Sequence, residues 1–238
     1  VLKSLLFNSR YLENILTMVY FEVKENIVYL IHLVKFDELM ISVYHLKPKF
    51  QALLMPILRF LYKLGITANM ITILSILLSL ATGIYLFIFP GYWALIIMPI
   101  ALLLRMALNA LDGMMARNYQ MQSKKGEVLN EVGDVFSDFV MFYPLGVLFM
   151  LKPLLLVFFL MLSILNEFAG ILGKAISGVR RYEGPMGKSD RALVVGLSCI
   201  FLSIFSEQKW IMNYVFVVVV LLLLLSTFIR MKKSIKLE

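Results

Sequence analysis

Long apolar runs alternate with short polar breaks over most of the chain. Six runs, 68–89, 93–117, 126–150, 153–175, 190–206 and 210–230, are near the about twenty residues that a helix needs to cross a bilayer. Turn-forming pairs separate several of them, at Pro90-Gly91, Lys152-Pro153 and Gly184-Pro185. Ahead of the first run, residues 47–64 set Lys47, Lys49, Arg59 and Lys63 among apolar side chains. That pattern suits an amphipathic helix in the headgroup layer, and it equally suits an ordinary helix packed on its neighbours. Residues 11–35 are apolar but are broken by Glu13, Glu22, Lys24 and Glu25, which would be costly inside a span. They read as an interfacial or peripheral helix. The expected fold is an all-α integral membrane protein: six transmembrane helices behind an N-terminal amphipathic juxtamembrane helix. Residues 1–46 form an N-terminal extension and residues 47–238 the membrane domain.

Composition agrees with that division. The 238 residues are 61% hydrophobic and only 16% charged, against about a quarter charged in soluble domains. The net charge of +8 belongs with cytoplasmic loops and anionic lipid, so membrane lipids are the expected partners and nucleic acid is not. Lys and Arg cluster at Arg117, Lys124 and Lys125, again from Lys174 to Arg191, and in the tail at Arg230, Lys232, Lys233 and Lys236. The alternate loops hold only Lys152 and Lys209. The positive-inside rule therefore places both termini and the two basic loops in the cytoplasm, with Trp93 and Trp210 as interfacial anchors. The single cysteine, Cys199, allows no intrachain disulfide. His32 and His45 lie far from any acidic cluster, which argues against a zinc site. The first thirty residues lack a clean apolar core followed by small residues, so no cleavable signal peptide is expected.

Against this background the second and third runs are conspicuously polar. The second carries Arg105, Asn109 and Asp112, and the third carries Asn130, Glu131, Asp134 and Asp138. Spacings of three and four place Arg105, Asn109 and Asp112 on one helix face and Asn130, Asp134 and Asp138 on another. A charge facing lipid costs roughly 3 kcal/mol, so these faces must look inward. At 1.5 Å per residue, Asp112 and Asn130 lie about 6–7 Å below the cytoplasmic ends, Asn109 and Asp134 about 12 Å, Arg105 and Asp138 about 18 Å. Three facing levels follow: Asp112 with Asn130, Asn109 with Asp134, and Arg105 with Asp138 as a buried ion pair. The upper two levels offer carboxylate and amide oxygens, which suit Mg²⁺ shared with substrate phosphates. A polar seam that only joins helices remains the other reading. An ion path fits poorly, because the polar residues stop about 18 Å down.

The stretch from Asn109 reads N-x2-D-G-x2-A-R-x8-G-x3-N-x3-D. It resembles the signature of the CDP-alcohol phosphatidyltransferases, D-x2-D-G-x2-A-R-x8-G-x3-D-x3-D. Asp112, Gly113, Ala116, Arg117, Gly126 and Asp134 match in register, while Asn109 and Asn130 stand where the family has aspartates. The resemblance implies six transmembrane helices, a cytoplasm-facing site and a homodimer. It also implies a CDP-alcohol donor such as CDP-diacylglycerol, bound through Mg²⁺ or Mn²⁺, whose CMP is displaced by an alcohol acceptor. Asp112 and Asp134 would be the catalytic carboxylates, with Asn109 and Asn130 completing the metal set. Gly113, Ala116, Arg117 and Gly126 would bound the nucleotide. On this reading the protein is a phospholipid-synthesis transferase of a bacterial inner membrane. The two amides keep a second reading open, a degenerate relative that binds lipid, nucleotide or a partner protein.

A second basic cluster, RRYEGPMGKSDR over residues 180–191, surrounds a Gly-Pro turn. Arg180, Arg181, Lys188 and Arg191 are candidates for an acceptor or headgroup phosphate, or are simply topogenic charge. Asn166 and Glu167, inside the fourth run, face either the same cavity or another helix.

Overall fold

The computed structural model describes residues 47–235. The N-terminal extension, with its expected helix and both histidines, lies outside the described residues. Eight α-helices and one 3-10 turn, at Ser206–Gln208, follow in order among the described residues: α1 Lys47–Lys63, α2 Ala68–Ile88, α3 Tyr92–Asn118, α4 Lys124–Phe142, α5 Leu145–Leu148, α6 Pro153–Ser177, α7 Lys188–Ile204 and α8 Ile211–Ile235. No strand occurs among them.

Local chemistry sets the ends. The Thr67 hydroxyl accepts from the Met70 N–H at 3.4 Å to open α2, and Ser123 accepts from the Gly126 N–H at 3.0 Å to open α4. Pro153 begins α6, where its missing N–H costs nothing. Gly178, at φ 72°, closes it in the left-handed conformation.

The expected span 126–150 is not one helix. It ends at Phe142, and Pro144 leads into the short α5. Proline has no N–H for the helix ladder, so the chain turns there instead of continuing. Four helices, α2, α3, α6 and α8, are long and apolar enough to cross a membrane. The expected third and fifth spans fall short of that description for different reasons. α4 carries Lys124, Lys125, Glu127, Glu131, Asp134 and Asp138, and α7 has only 17 residues.

Helix α2 packs on α3 and α4, α3 also packs on α7, and α6 packs on α8 and α4. Two apolar clusters result. The larger includes Leu95, Met98 and Leu102 of α3 together with a chain of rings, Phe142–Phe159 at 5.4 Å, Phe159–Phe216 at 4.9 Å and Phe216–Phe149 at 5.8 Å. The smaller gathers Leu54 and Leu58 of α1 with Ala68, Ile71, Leu111, Met114 and Met115. Along α3, Arg105 follows the residues of the larger cluster, and Asn109 and Asp112 stand among those of the smaller. Helix α1 is fixed to the end of α3 by the stacked rings of Tyr62 and Tyr119, 3.6 Å apart, while Leu53, Ile57 and Phe60 on its other side are exposed.

Candidate functional site

Helices α2, α3, α4 and α7 converge on the polar stretch of α3. Asn109 Nδ2 donates to Asp134 Oδ1 at 3.3 Å, and Arg105 Nη1 donates to Asp138 Oδ1 at 2.5 Å. Two of the three facing levels read from the spacing are thus in contact. Asp112 and Asn130 line the same cavity, but Asp112 Oδ2 accepts from Thr72 Oγ1, at 2.9 Å. Asn109 Oδ1 likewise accepts from Ser75 Oγ at 2.8 Å. Arg105 also donates through Nη2 to the Asp134 carbonyl oxygen at 3.1 Å, and that nitrogen is 3.8 Å from Asp134 Oδ1. The Lys188 ammonium pairs with the same Asp134 oxygen.

Thr72 and Ser75 were missed in the sequence, although a signal for them exists. Thr72, Ser75, Ser79 and Thr82 follow one another at spacings of three, four and three, one face of α2, and all four are buried. Ser79 and Thr82 turn their hydroxyls back to carbonyls four residues earlier. Thr72 and Ser75 reach across to α3.

Below this level lies a continuous ion-pair network. Arg191, fully buried, donates through Nη2 to Asp138 Oδ2 at 2.6 Å and to Glu167 Oε1 at 3.0 Å. Glu167 Oε2 accepts from Arg180 Nη2 at 3.1 Å, and Arg180 Nη1 pairs with Glu131. Burial works against the Arg180 charge, but Tyr182, Glu131 and Glu167 beside it outweigh that and hold its guanidinium above its usual value. Arg181 lies 3.5 Å from Glu183, and Lys174 pairs with Glu127. The structure therefore brings Arg180, Lys188 and Arg191 to the site, each on a carboxylate, and leaves Arg181 beside it.

The loop between α6 and α7 is held from below. Arg230 of α8 donates to three carbonyl oxygens, of Asn166 at 2.7 Å, Glu183 at 3.1 Å and Tyr182 at 3.4 Å. Asn166 Nδ2 and Arg191 Nη1 both donate to the Met186 carbonyl, at 3.3 and 3.1 Å. Gly184 sits at φ 100°, and a Cβ there would come within 2.7 Å of Ser226 Cα. Gly184→Ala is accordingly expected to lower stability by about 2 kcal/mol, read as a drop in melting temperature of the detergent-purified protein.

These elements enclose a cavity of about 1350 Å³. Its polar end carries Asn109, Asp112, Asn130 and Asp134 together with Gly113, Ala116, Arg117 and Gly126. Its apolar end runs between α3 and α7 along Leu103, Met106, Leu193, Leu197 and Ile200. Arg117 lies over Gly113, so that a Cβ at Gly113 would stand 3.3 Å from Arg117 Nη1. Oxygen donors able to hold a hard cation are the carboxylates of Asp112 and Asp134, with the amide oxygen of Asn130 on the same wall. No group of three or more His, Cys, Asp or Glu residues suited to a metal occurs among the described residues.

A sequence profile of the CDP-alcohol phosphatidyltransferase family matches residues 65–227. Inner membrane protein YnbA of Escherichia coli (strain K12) is 44% identical over 170 residues, covering 71% of this chain and 85% of that protein. An uncharacterized protein of Aquifex aeolicus (strain VF5) is 31% identical over 102 residues, 43% of this chain and 50% of that one. Among solved structures, the Mycobacterium tuberculosis phosphatidylinositol phosphate synthase with CDP-DAG bound superposes with a TM-score of 0.62 at 22% identity, covering 75% of this chain and 92% of that one. The same synthase with manganese and citrate gives 0.55 at 23% identity, over 73% and 88%. That likeness is one of fold. With four helices able to cross a bilayer and a 44% identical inner membrane relative, this chain is an integral membrane protein.

Proposed function

The chain belongs to the CDP-alcohol phosphatidyltransferase family, and on that premise we propose that it moves a phosphatidyl or similar phospho-alcohol group from a CDP-alcohol to an alcohol acceptor, releasing CMP. CDP-diacylglycerol is the proposed donor. One observation carries this reading: the cavity holding Asp112 and Asp134 continues as an apolar channel between α3 and α7. A donor with a charged diphosphate and lipid tails matches both ends at once.

The donor set suits a single Mg²⁺ or Mn²⁺ shared with substrate. Two carboxylates and an amide oxygen are hard ligands, too few to enclose an ion alone but enough beside diphosphate oxygens. Asp112, Asp134 and Asn130 would hold it, with Asn109 in reserve because its oxygen now accepts from Ser75. Once bound, the ion would neutralise charge on the diphosphate and on the departing CMP. Asp134 is the proposed general base toward the acceptor hydroxyl. Lys188, on its carboxylate, and Arg105, on its backbone carbonyl, hold that residue in place. Thr72 fixes one Asp112 oxygen and leaves the other for ligation. Gly113 and Ala116 leave room for the cytidine, with Arg117 and Gly126 at its edge.

We further propose that α4 and α7 complete a six-span domain over residues 47–238, their charged faces turned to the site. Helix α1 would lie in the headgroup layer, with Leu53, Ile57 and Phe60 toward lipid. In this proposal the site faces the cytoplasm from a bacterial inner membrane, which the basic loops favour under the positive-inside rule, and the protein is a homodimer.

A second reading rests on a specific observation. Asn109 turns its NH₂ toward Asp134, and the Lys188 ammonium already occupies that carboxylate. A relative that binds donor without turnover would look the same. The deciding experiment measures Mn²⁺- or Mg²⁺-dependent binding of CDP-diacylglycerol to the purified full chain and follows CMP in the same sample. The transferase reading expects saturable, chelator-sensitive binding, with CMP released once an acceptor mixture is added. Binding with no release assigns the degenerate relative, and no metal-dependent binding removes both.

A further inference from the structure

Six cationic side chains line the cavity: Arg117, Lys124, Lys174, Arg180, Lys188 and Arg230. A phosphomonoester needs such groups free, because a dianion brought out of water must gain charge-assisted hydrogen bonds to replace its hydration. Lys188 is spent on Asp134, Lys174 on Glu127, and Arg180 on Glu131 and Glu167. Arg230 spends its guanidinium on three carbonyl oxygens of the chain itself. Arg117 and Lys124 make no ion pair with a carboxylate among the described residues, and both stand at the nucleotide end beside Gly113 and Gly126. A donor diphosphate would use them.

The deeper layer has no cation to spare either. Among the described residues Arg105 is held by Asp138, Arg191 by Asp138 and Glu167, Arg180 by Glu131 and Glu167, and Lys188 by Asp134. Freeing Arg180 for a ligand would strand Glu131, and freeing Arg191 would strand Asp138 and Glu167 with fewer partners in a buried setting.

We infer that the acceptor is an alcohol without a phosphate group, recognised by hydroxyl and amide contacts and not by cations. This rests on the transferase reading. It departs from what the basic sequence of residues 180–191 alone invites, since those charges are neutralised within the fold.

The test uses purified full chain with Mn²⁺ and CDP-diacylglycerol, titrated calorimetrically with inorganic phosphate and with glycerol 3-phosphate. The unaltered protein is expected to bind neither more tightly than about 10 mM. Glu131→Gln, which leaves Arg180 on Glu167 alone and frees its Nη1, is expected to gain phosphate affinity by at least about tenfold. In parallel, glycerol 3-phosphate should raise CMP release no further than water does. Phosphate binding by the unaltered protein that falls at least about tenfold in Arg180→Ala or Lys188→Ala overturns the inference. So does CMP release stimulated at least about tenfold by glycerol 3-phosphate over its unphosphorylated counterpart. Phosphate binding untouched by both variants is not held by the cations of the 180–191 loop and supports it. Failure of the transferase reading shows separately, as absence of metal-dependent donor binding, while the phosphate titration still reports on the pocket.

Discussion

Asp134→Asn is expected to reduce metal-dependent CMP release from CDP-diacylglycerol by about a thousandfold, within the range a lost general base produces, while the folded protein survives. The substitution is close to isosteric. The backbone carbonyl of residue 134 still accepts from Arg105, and an amide oxygen can still accept from Lys188. What disappears is the negative charge and the capacity to take a proton. A metal bound partly by that carboxylate would also be held more weakly, so the loss should be only partly restored by raising Mn²⁺. CMP is measured by chromatography, with the elution profile and melting temperature as the check on folding. Activity within about threefold of the unaltered protein would move the base role away from Asp134.

Arg191→Leu is expected to show the largest effect on stability, about 3–5 kcal/mol, the range found when one member of a buried ion network is removed. Arg191 is fully buried and donates to Asp138, Glu167 and the Met186 carbonyl at once. Leucine fills much of the volume but leaves Asp138 to Arg105 and Glu167 to Arg180. The loss is read from reversible unfolding in detergent, with Arg191→Lys as the partner variant. Lysine keeps the charge but not the fork of donors, so it should recover part of the loss. The exposed Lys174–Glu127 pair is the control, since pairs of that kind contribute about 0–1 kcal/mol. A loss no larger than the control's would mean that the network holds residues in place without contributing to stability.

The features that were legible in the sequence are those fixed by a single helix. Arg105, Asn109 and Asp112 share a face because a helix repeats every 3.6 residues, and Asn130, Asp134 and Asp138 share theirs for the same reason. Their depth below the cytoplasmic ends then paired Asn109 with Asp134 and Arg105 with Asp138, and both pairs are in contact. Illegible were the contributions of helices distant in sequence. Thr72 and Ser75 read as tolerated hydroxyls in an apolar span until α2 is laid against α3. Arg230 read as topogenic charge, and Arg191 as either that or a phosphate ligand, because a count of Lys and Arg does not distinguish a solvated guanidinium from one buried on partners 24 to 64 residues away. The third span was drawn straight through Pro144 because apolarity continued past it, and there the backbone chemistry prevailed over the hydropathy.

The clasp made by Arg230 also bears on the order of assembly. Its guanidinium belongs to the last helix, yet it supplies the hydrogen-bond donors for carbonyls of Asn166, Tyr182 and Glu183. Before that helix is synthesised, the loop leading into α7 lacks the donors for the Tyr182 and Glu183 carbonyls and keeps those of Asn166 and Arg191 on the Met186 carbonyl. The polar stretch of α3 and α4 is thus synthesised before the helix that clasps the loop carrying Lys188 to it.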